Sequence, residues 1–242
     1  MDTLTPERLQ TDLEELLARL AQLEDAELCM AALYGSAARP DFDAERSDVN
    51  LLLAFSRMPD LEPLSDILQR ARTRFRCAPL VLTASELMRS VDVFPVKLLE
   101  MRRGYRLLAG EDLFTGLTVS FEPLRHACEH DLRNAQFKLR RTWLLTRPDP
   151  RPLQEAIRRF LPQVVGALRC LLDHAGASSL DTFAGLCAAS EAHLGLDLRP
   201  MERALALRHH PEADWLEVSL AYEALSCVLS SLLVRVARLE GL

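Results

Sequence analysis

The sequence predicts an α+β fold, in which a small mixed sheet precedes an all-helical bundle. Two apolar runs, Met30–Tyr34 and Leu51–Phe55, flank a turn-like segment near the start of the chain. Beyond Gly116, apolar residues recur almost wholly at helical spacing. Proline or glycine interrupts that spacing at intervals, so short connections join long helices, as in an antiparallel bundle. We therefore expect two domains, at residues 1–116 and 117–242.

The predicted N-terminal domain alternates helices with strands. Thr5-Pro6-Glu7 has the composition of a helix start, and leucines at helical spacing follow it. Thr83-Ala84-Ser85-Glu86 has the form of a capping box, which predicts a further helix start. The remaining predicted elements are an amphipathic helix over Pro59–Phe75, a strand over Ala78–Thr83 and a short helix over Val93–Met101.

The predicted C-terminal domain contains helices only. Their apolar residues recur with the helical period, and each break contains proline or glycine. The helices are expected near Glu122–Thr146, Pro152–His174, Leu180–Leu194, Arg199–Arg208 and Glu212–Leu239.

Composition and charge indicate a cytoplasmic protein. The net charge of -6 and the pI near 5.6 argue against an extended nucleic-acid surface. Six cysteines are scattered without a CxxC pair, which favours buried free thiols over disulfides or zinc ligands. The N-terminus lacks the pattern of a signal peptide, and no uncharged run approaches the ~20 residues of a membrane span. We therefore expect no membrane partner.

The segment between the first two apolar runs carries the candidate chemistry. Gly35-Ser36 follows the first run, and Ser47-Asp48-Val49-Asn50 opens the second. Because side chains alternate along a strand, we expect Asp48 and Asn50 to point the same way, toward the Gly-Ser turn. A turn without bulky side chains lets backbone N–H groups approach a phosphate, and a nearby carboxylate can hold its Mg²⁺.

At these residues the chain resembles the nucleotidyltransferase superfamily that includes DNA polymerase β and the aminoglycoside nucleotidyltransferases. The family pattern is Gly-Ser, a short loop often containing Arg-Gly, and then Asp-x-Asp on the next strand. The resemblance implies that Gly35, Ser36 and Arg39 bind the nucleotide. It implies that Asp48 and Asn50 occupy the catalytic positions, with Asp48 as the metal ligand. The implied cofactor is Mg²⁺, with ATP or another nucleoside triphosphate as substrate or ligand.

The resemblance spans about residues 28–114, because Arg102–Leu113 is similar to the strand that closes many nucleotidyltransferase domains. In the family, two Asp residues and a third on a later strand hold two Mg²⁺ ions. Here Asn50 replaces the second Asp, and Leu80 and Leu82 stand where the third acid is expected. An Asn oxygen is a neutral and weaker ligand for Mg²⁺. Whether an acid at Asp41, Asp43 or Glu86 replaces a missing ligand stays open.

Two functional hypotheses follow from this degenerate pattern. The first is an enzyme that transfers a nucleotidyl group to a hydroxyl of a small-molecule or protein acceptor. The alternative is a fold relative without efficient turnover, acting as a nucleotide sensor, regulator or interaction module. In the family, the helical domain supplies substrate contacts or a homodimer interface. A minor third hypothesis is a toxin–antitoxin role, because Arg203 and His209 have the spacing of an RNase motif found in that group.

Two further patterns lie in the predicted bundle. His126, Glu129 and His130 match the HxxEH pattern of zinc proteases, and we interpret them as polar residues on a helix. A basic run is interpreted as a solvated helix face, with an anionic substrate groove as the alternative. The residues of this run are Arg133, Lys138, Arg140 and Arg141, with Trp143 beside them.

Overall fold

The α+β prediction is confirmed by a computed structural model, which describes residues 5–39, 42, 47–207, 210 and 212–239. The chain divides into two units, Met1–Thr118 and Val119–Leu242. Strands lie in the first unit, and the described part of the second unit is helical.

The described part of the first unit contains four strands and four α-helices, with a 3₁₀ helix at Gly35–Ala38. In chain order they are α1 (Pro6–Leu20), β1 (Leu28–Tyr34), β2 (Val49–Phe55), α2 (Leu61–Arg72), β3 (Cys77–Thr83), α3 (Ala84–Arg89), α4 (Pro95–Arg103) and β4 (Tyr105–Gly110).

The four strands form one mixed sheet in the order β3-β2-β1-β4. Strand β1 is antiparallel to β2 and to β4, whereas β2 and β3 run parallel. A parallel pair needs a crossover connection, and α2 supplies it. Residues Leu51–Phe55 of β2 are fully buried, so both faces of this strand are covered. A continuous apolar run is the sequence pattern expected for such a strand.

One face of the sheet packs against α1 and α2. Leucines at helical spacing in α1 meet alternate residues of β1 and β2, so the two periodicities share one core. The buried members of this core include Leu9, Leu13, Leu16, Leu20, Ala31, Leu33, Leu51, Leu53, Phe55, Leu64, Ala71 and Phe75.

Helix starts fall where the capping residues predict them. The Thr5 hydroxyl accepts a hydrogen bond from the Arg8 N–H at 3.3 Å, with Pro6 in the first helical position of α1. Thr83 and Glu86 form both halves of the capping box at the start of α3. These side chains satisfy N–H groups that have no partner within the helix.

The second unit contains α5 (Phe121–Thr146) and α6 (Pro150–His174), joined by a short turn. Their bounds lie close to the predicted ones, as do those of the three helices that follow. These are α7 (Phe183–Leu194), α8 (Glu202–Ala206) and α9 (Trp215–Val236), with a 3₁₀ helix at Arg199–Met201.

Among the described residues, α9 is the one helix that could span a membrane by length and composition, with 22 residues and a mean hydropathy of 1.5. Charged residues interrupt it, which is why a search for uncharged runs does not identify it. Its buried residues, which include Val218, Leu225 and Leu232, face a bundle in which α9 contacts α5 and α6. One side of α9 thus packs in the bundle, whereas Leu216 and Val234 on it are exposed.

Gly110, at the end of β4, provides a test of the sheet pairing. Its φ is +81°, and a Cβ atom there would lie 2.0 Å from the Cys29 carbonyl oxygen on β1. We expect Gly110→Ala to lower the free energy of unfolding by about 2 kcal/mol or more, because strain and a backbone clash add. Urea unfolding measures this change.

Gly104 is the matched control. It precedes the same strand, its φ is -148°, and a Cβ atom there has no neighbour within 4 Å. Gly104→Ala should change the free energy of unfolding by less than about 1 kcal/mol. Equal effects of the two substitutions would contradict the pairing of β4 with β1.

Candidate functional site

The turn after β1 has the backbone geometry of a glycine-specific loop. Gly35 has a φ of +66°, which side-chain-bearing residues rarely adopt. The Nδ2 atom of Asn50 lies 3.5 Å from the position that a Cβ atom on Gly35 would occupy. The structure therefore places the Asn50 amide directly beside the Gly35 backbone.

The strand register explains this proximity. Leu33 pairs with Leu51 in the antiparallel ladder, so β1 ends at the point where β2 begins. One step further along the same register, Tyr34 and Asn50 are neighbours. The turn and the start of β2 consequently occupy one edge of the sheet, as the sequence predicts for Gly35 and Asn50.

Asp48 lies one residue before β2, at the entry to the strand that carries Asn50. Its side chain is 54% exposed, and its Oδ1 atom accepts a hydrogen bond from the Nε of Arg76 at 2.9 Å. The parallel register is the cause. Val49 pairs with Cys77, and the Val49 N–H donates to the Arg76 carbonyl at 2.8 Å, so Arg76 stands beside Asp48.

The described part of β3 offers no carboxylate beside Asn50. The parallel register pairs Asn50 with Ala78 and Leu52 with Leu80, and paired residues share a face of the sheet. Leu82 is the next residue of β3 on that face. The nearest β3 neighbour of Asn50 is therefore Ala78, whereas the sequence interpretation considered Leu80 and Leu82.

Glu86 lies at the opposite end of the strands, too far from Asp48 and Asn50 to replace a missing metal ligand. Thr83 pairs with Phe55, five positions along the ladder from the Asn50–Ala78 pair. At the rise of a strand this is a separation of about 16 Å. The Glu86 carboxylate instead accepts from the Thr83 N–H at 2.8 Å and caps α3. The other proposed replacements, Asp41 and Asp43, lie outside the described residues.

The other two predicted phosphate contacts follow the turn. Ser36 is half-buried, and its carbonyl accepts from the Arg39 N–H at 3.0 Å. Arg39 is exposed, and among the described residues its guanidinium has no carboxylate partner.

Two tyrosines next to the turn are features that the motif search missed. Tyr34 pairs with Tyr105 on β4, which places both on the sheet face of Asn50. The Tyr105 hydroxyl donates to the Asp112 carboxylate, and this bond raises the pKa of Tyr105. Burial raises the pKa of Tyr34. Both rings are therefore neutral near pH 7, and strand alternation on β1 and β4 is the signal that could have found them.

No cluster of three or more His, Cys, Asp or Glu side chains suited to a metal occurs within the described part of the chain. The His126 and His130 side chains are 67% and 79% exposed. Glu129, between them, accepts hydrogen bonds from the Arg133 guanidinium. These contacts agree with the interpretation of the HxxEH pattern as polar residues on a helix.

Comparison with solved structures connects this arrangement to known proteins. The chain is similar to the spectinomycin adenyltransferase AAD(9) from Enterococcus faecialis, whose structure contains ATP and spectinomycin. The TM-score is 0.56 at 13% sequence identity, over 97% of this chain and 100% of the other. No protein-family model and no curated protein match the sequence. The fold of this chain is therefore nucleotidyltransferase-like, with a helical C-terminal part, as the sequence resemblance implied.

Proposed function

We propose that this protein binds a nucleoside triphosphate at the Gly35–Ser36 turn, and that its site favours binding over efficient nucleotidyl transfer. The observation that carries this proposal is the set of side chains at the sheet edge. Among the described residues it consists of one carboxylate, Asp48, which is engaged by Arg76, and one amide, Asn50, which lies beside Gly35.

Phosphate binding at the turn rests on the backbone. The first N–H groups of a 3₁₀ helix have no partner within that helix, and no side chain caps the helix at Gly35–Ala38. The absence of a side chain at Gly35 lets a phosphate oxygen approach these N–H groups. In this proposal the exposed Arg39 guanidinium adds a charged donor from the same turn.

The described residues fit one Mg²⁺ ion that a triphosphate already holds. A single carboxylate with one amide oxygen is a sufficient protein contribution to such an ion, because phosphates and waters provide its other ligands. The same residues do not fit a two-metal site, which needs further carboxylates to hold a second ion. Nucleotide binding with one Mg²⁺ ion therefore needs fewer carboxylates than nucleotidyl transfer with two ions. The described residues are sufficient only for binding.

Arg76 regulates the availability of Asp48 in this proposal. Both side chains are more than half exposed, and such ion pairs contribute only about 0–1 kcal/mol. A metal–triphosphate complex can therefore displace the guanidinium from Asp48 at little cost. The released guanidinium is then a donor for phosphate oxygens.

A second candidate function is nucleotidyl transfer to a hydroxyl acceptor. The observation that favours it is the fold shared with an adenyltransferase along nearly the whole chain. This function requires an additional acid near Asp48, and Asp41, Asp43 and Glu45 lie outside the described residues. Release of pyrophosphate from ATP in the presence of candidate acceptors would favour transfer over binding alone.

Substitution of Asp48 tests the metal contact. Asp48→Ala should weaken binding of the magnesium complex of ATP by roughly tenfold, because one charge-assisted contact of about 1.5 kcal/mol is lost. Calorimetry with and without Mg²⁺ measures the change. Asp66→Ala is the matched control, since it removes one exposed acid from α2 in the same unit. Equal affinities of the two variants would reject the assignment of Asp48.

Substitution of Arg76 tests the competition for Asp48. Arg76→Gln should strengthen binding of free Mg²⁺ at the sheet edge several-fold, because the carboxylate loses its competing cation. The free energy of unfolding should change by less than about 1 kcal/mol, as for other exposed ion pairs. A weaker metal response in Arg76→Gln than in the wild type would contradict the competition.

Substitution of Asn50 tests the geometry of the sheet edge. Asn50→Asp adds a carboxylate of nearly the same shape beside Gly35, so the Mg²⁺ affinity should rise by about tenfold. Asn50→Ser is the control, because it shortens the side chain without adding charge. An Asn50→Asp variant whose Mg²⁺ titration matches the wild type would show that residue 50 does not face the metal.

A further inference from the structure

A second region of the protein has the properties of an anion site. It is a surface cleft of about 440 Å³ between α5 and α6, in the second unit. Its side chains come from one face of each helix, at the spacing of successive turns. The lining residues include Lys138, Arg141, Leu145, Glu155, Arg159 and Phe160.

The charge of this cleft is strongly positive for its size. Lys138, Arg141 and Arg159 contribute three cations, and Glu155 is the one acid among the lining residues. None of the three cations makes an ion pair with a carboxylate among the described residues. Elsewhere on these helices Arg133 binds Glu129, and Arg158 donates to backbone carbonyls. The cleft therefore carries three cations that no described carboxylate neutralises.

The aromatic ring of Phe160 orders two of these cations. The Lys138 ammonium and the Arg159 guanidinium each lie 5.8 Å from the centroid of this ring. Phe160 itself is 6% exposed, so the ring is fixed by the packing of the bundle. Contact with the face of an aromatic ring holds a cation without using its N–H groups in a carboxylate pair. Two of the three donors thus contact the wall of the cleft while their N–H groups stay accessible to a ligand.

We propose that the α5–α6 cleft binds a small ligand that carries two or more phosphoryl groups. Guanidinium groups match phosphate oxygens in pairs, and the ammonium adds a third donor. The volume is within the range of small-molecule sites. The net charge of -6 opposes the approach of extended nucleic acid, so a small phosphorylated molecule fits better than a polymer.

This proposal concerns residues of the second unit alone and does not depend on the function proposed for the Gly35–Ser36 turn. The cleft residues of α5 begin at Lys138, 17 residues after Phe121 at the helix start, which is about 25 Å along the axis. The cleft therefore lies toward the turn that joins α5 to α6. Substitution of Asp48 should leave its ligand affinity unchanged, which distinguishes failure of one proposal from failure of the other.

Inorganic tripolyphosphate is the probe, and calorimetry on the full chain is the measurement. Arg141→Gln/Arg159→Gln should weaken its binding at least tenfold, because two charged donors are lost. The control is Arg140→Gln/Arg151→Gln, which removes equal charge from the same two helices at exposed positions outside the cleft. The control should bind within twofold of the wild type.

A second variant tests whether a more positive cleft binds tripolyphosphate more tightly, without removing a donor. Glu155→Gln removes the acid of the cleft and should strengthen tripolyphosphate binding several-fold. Comparison with a nucleoside triphosphate identifies the source of the phosphates. Equal affinity indicates recognition of the phosphate chain alone. Tighter nucleotide binding that is lost in Arg141→Gln/Arg159→Gln but kept in Asp48→Ala indicates a nucleotide site in the cleft.

Three results would overturn the proposal. The first is an equal loss of affinity in the cleft variant and in its control, which would indicate a diffuse charge effect. The second is the absence of tripolyphosphate binding by the wild type at millimolar concentration. The third is retention of single-stranded RNA without any binding of tripolyphosphate, since this would indicate a polymer surface.

Discussion

The burial of β2 on both faces is the constraint on which the first unit depends. A strand covered on both sides cannot shift its register without exposing apolar side chains on one face or the other. Its antiparallel pairing with β1 then fixes the Gly35 turn beside Asn50. Its parallel pairing with β3 fixes Arg76 beside Asp48. The candidate site is thus positioned by core packing, although most of its side chains are partly exposed.

The same register determines the electrostatics of the site. Three carboxylates at one end of a sheet repel one another until cations bind. Such a cluster therefore favours the binding of two metal ions. Here one carboxylate already has a guanidinium partner, and the neighbour of Asn50 on β3 is the methyl group of Ala78. The described side chains at this end of the strands therefore carry little net charge before a metal binds. This charge balance is the physical reason for assigning binding to the site ahead of transfer.

The features that the sequence predicted correctly are those that interactions between neighbouring residues determine. Helix periods, the capping residues at Thr5 and Thr83, and the glycine turn are all encoded within a few neighbouring residues, and the structure has each of them. The Asp48–Arg76 pair was not predicted, because it joins residues 28 positions apart through a strand register. The α5–α6 cleft combines residues from two helices, so the basic run on α5 alone could not define it.

The two proposed anion sites attract phosphate groups by different interactions, although the protein as a whole is acidic. At the proposed turn site, backbone N–H groups act together with the guanidinium groups of Arg39 and Arg76, so the geometry of the turn contributes beside charge. In the cleft, three side-chain cations contribute most of the attraction, and this attraction weakens as added salt screens it. Both sites are compatible with an overall negative charge. The attraction at each site acts over a shorter distance than the field of the whole chain. The overall negative charge also disfavours large polyanions at either site, which is why small phosphorylated ligands are the common inference for both.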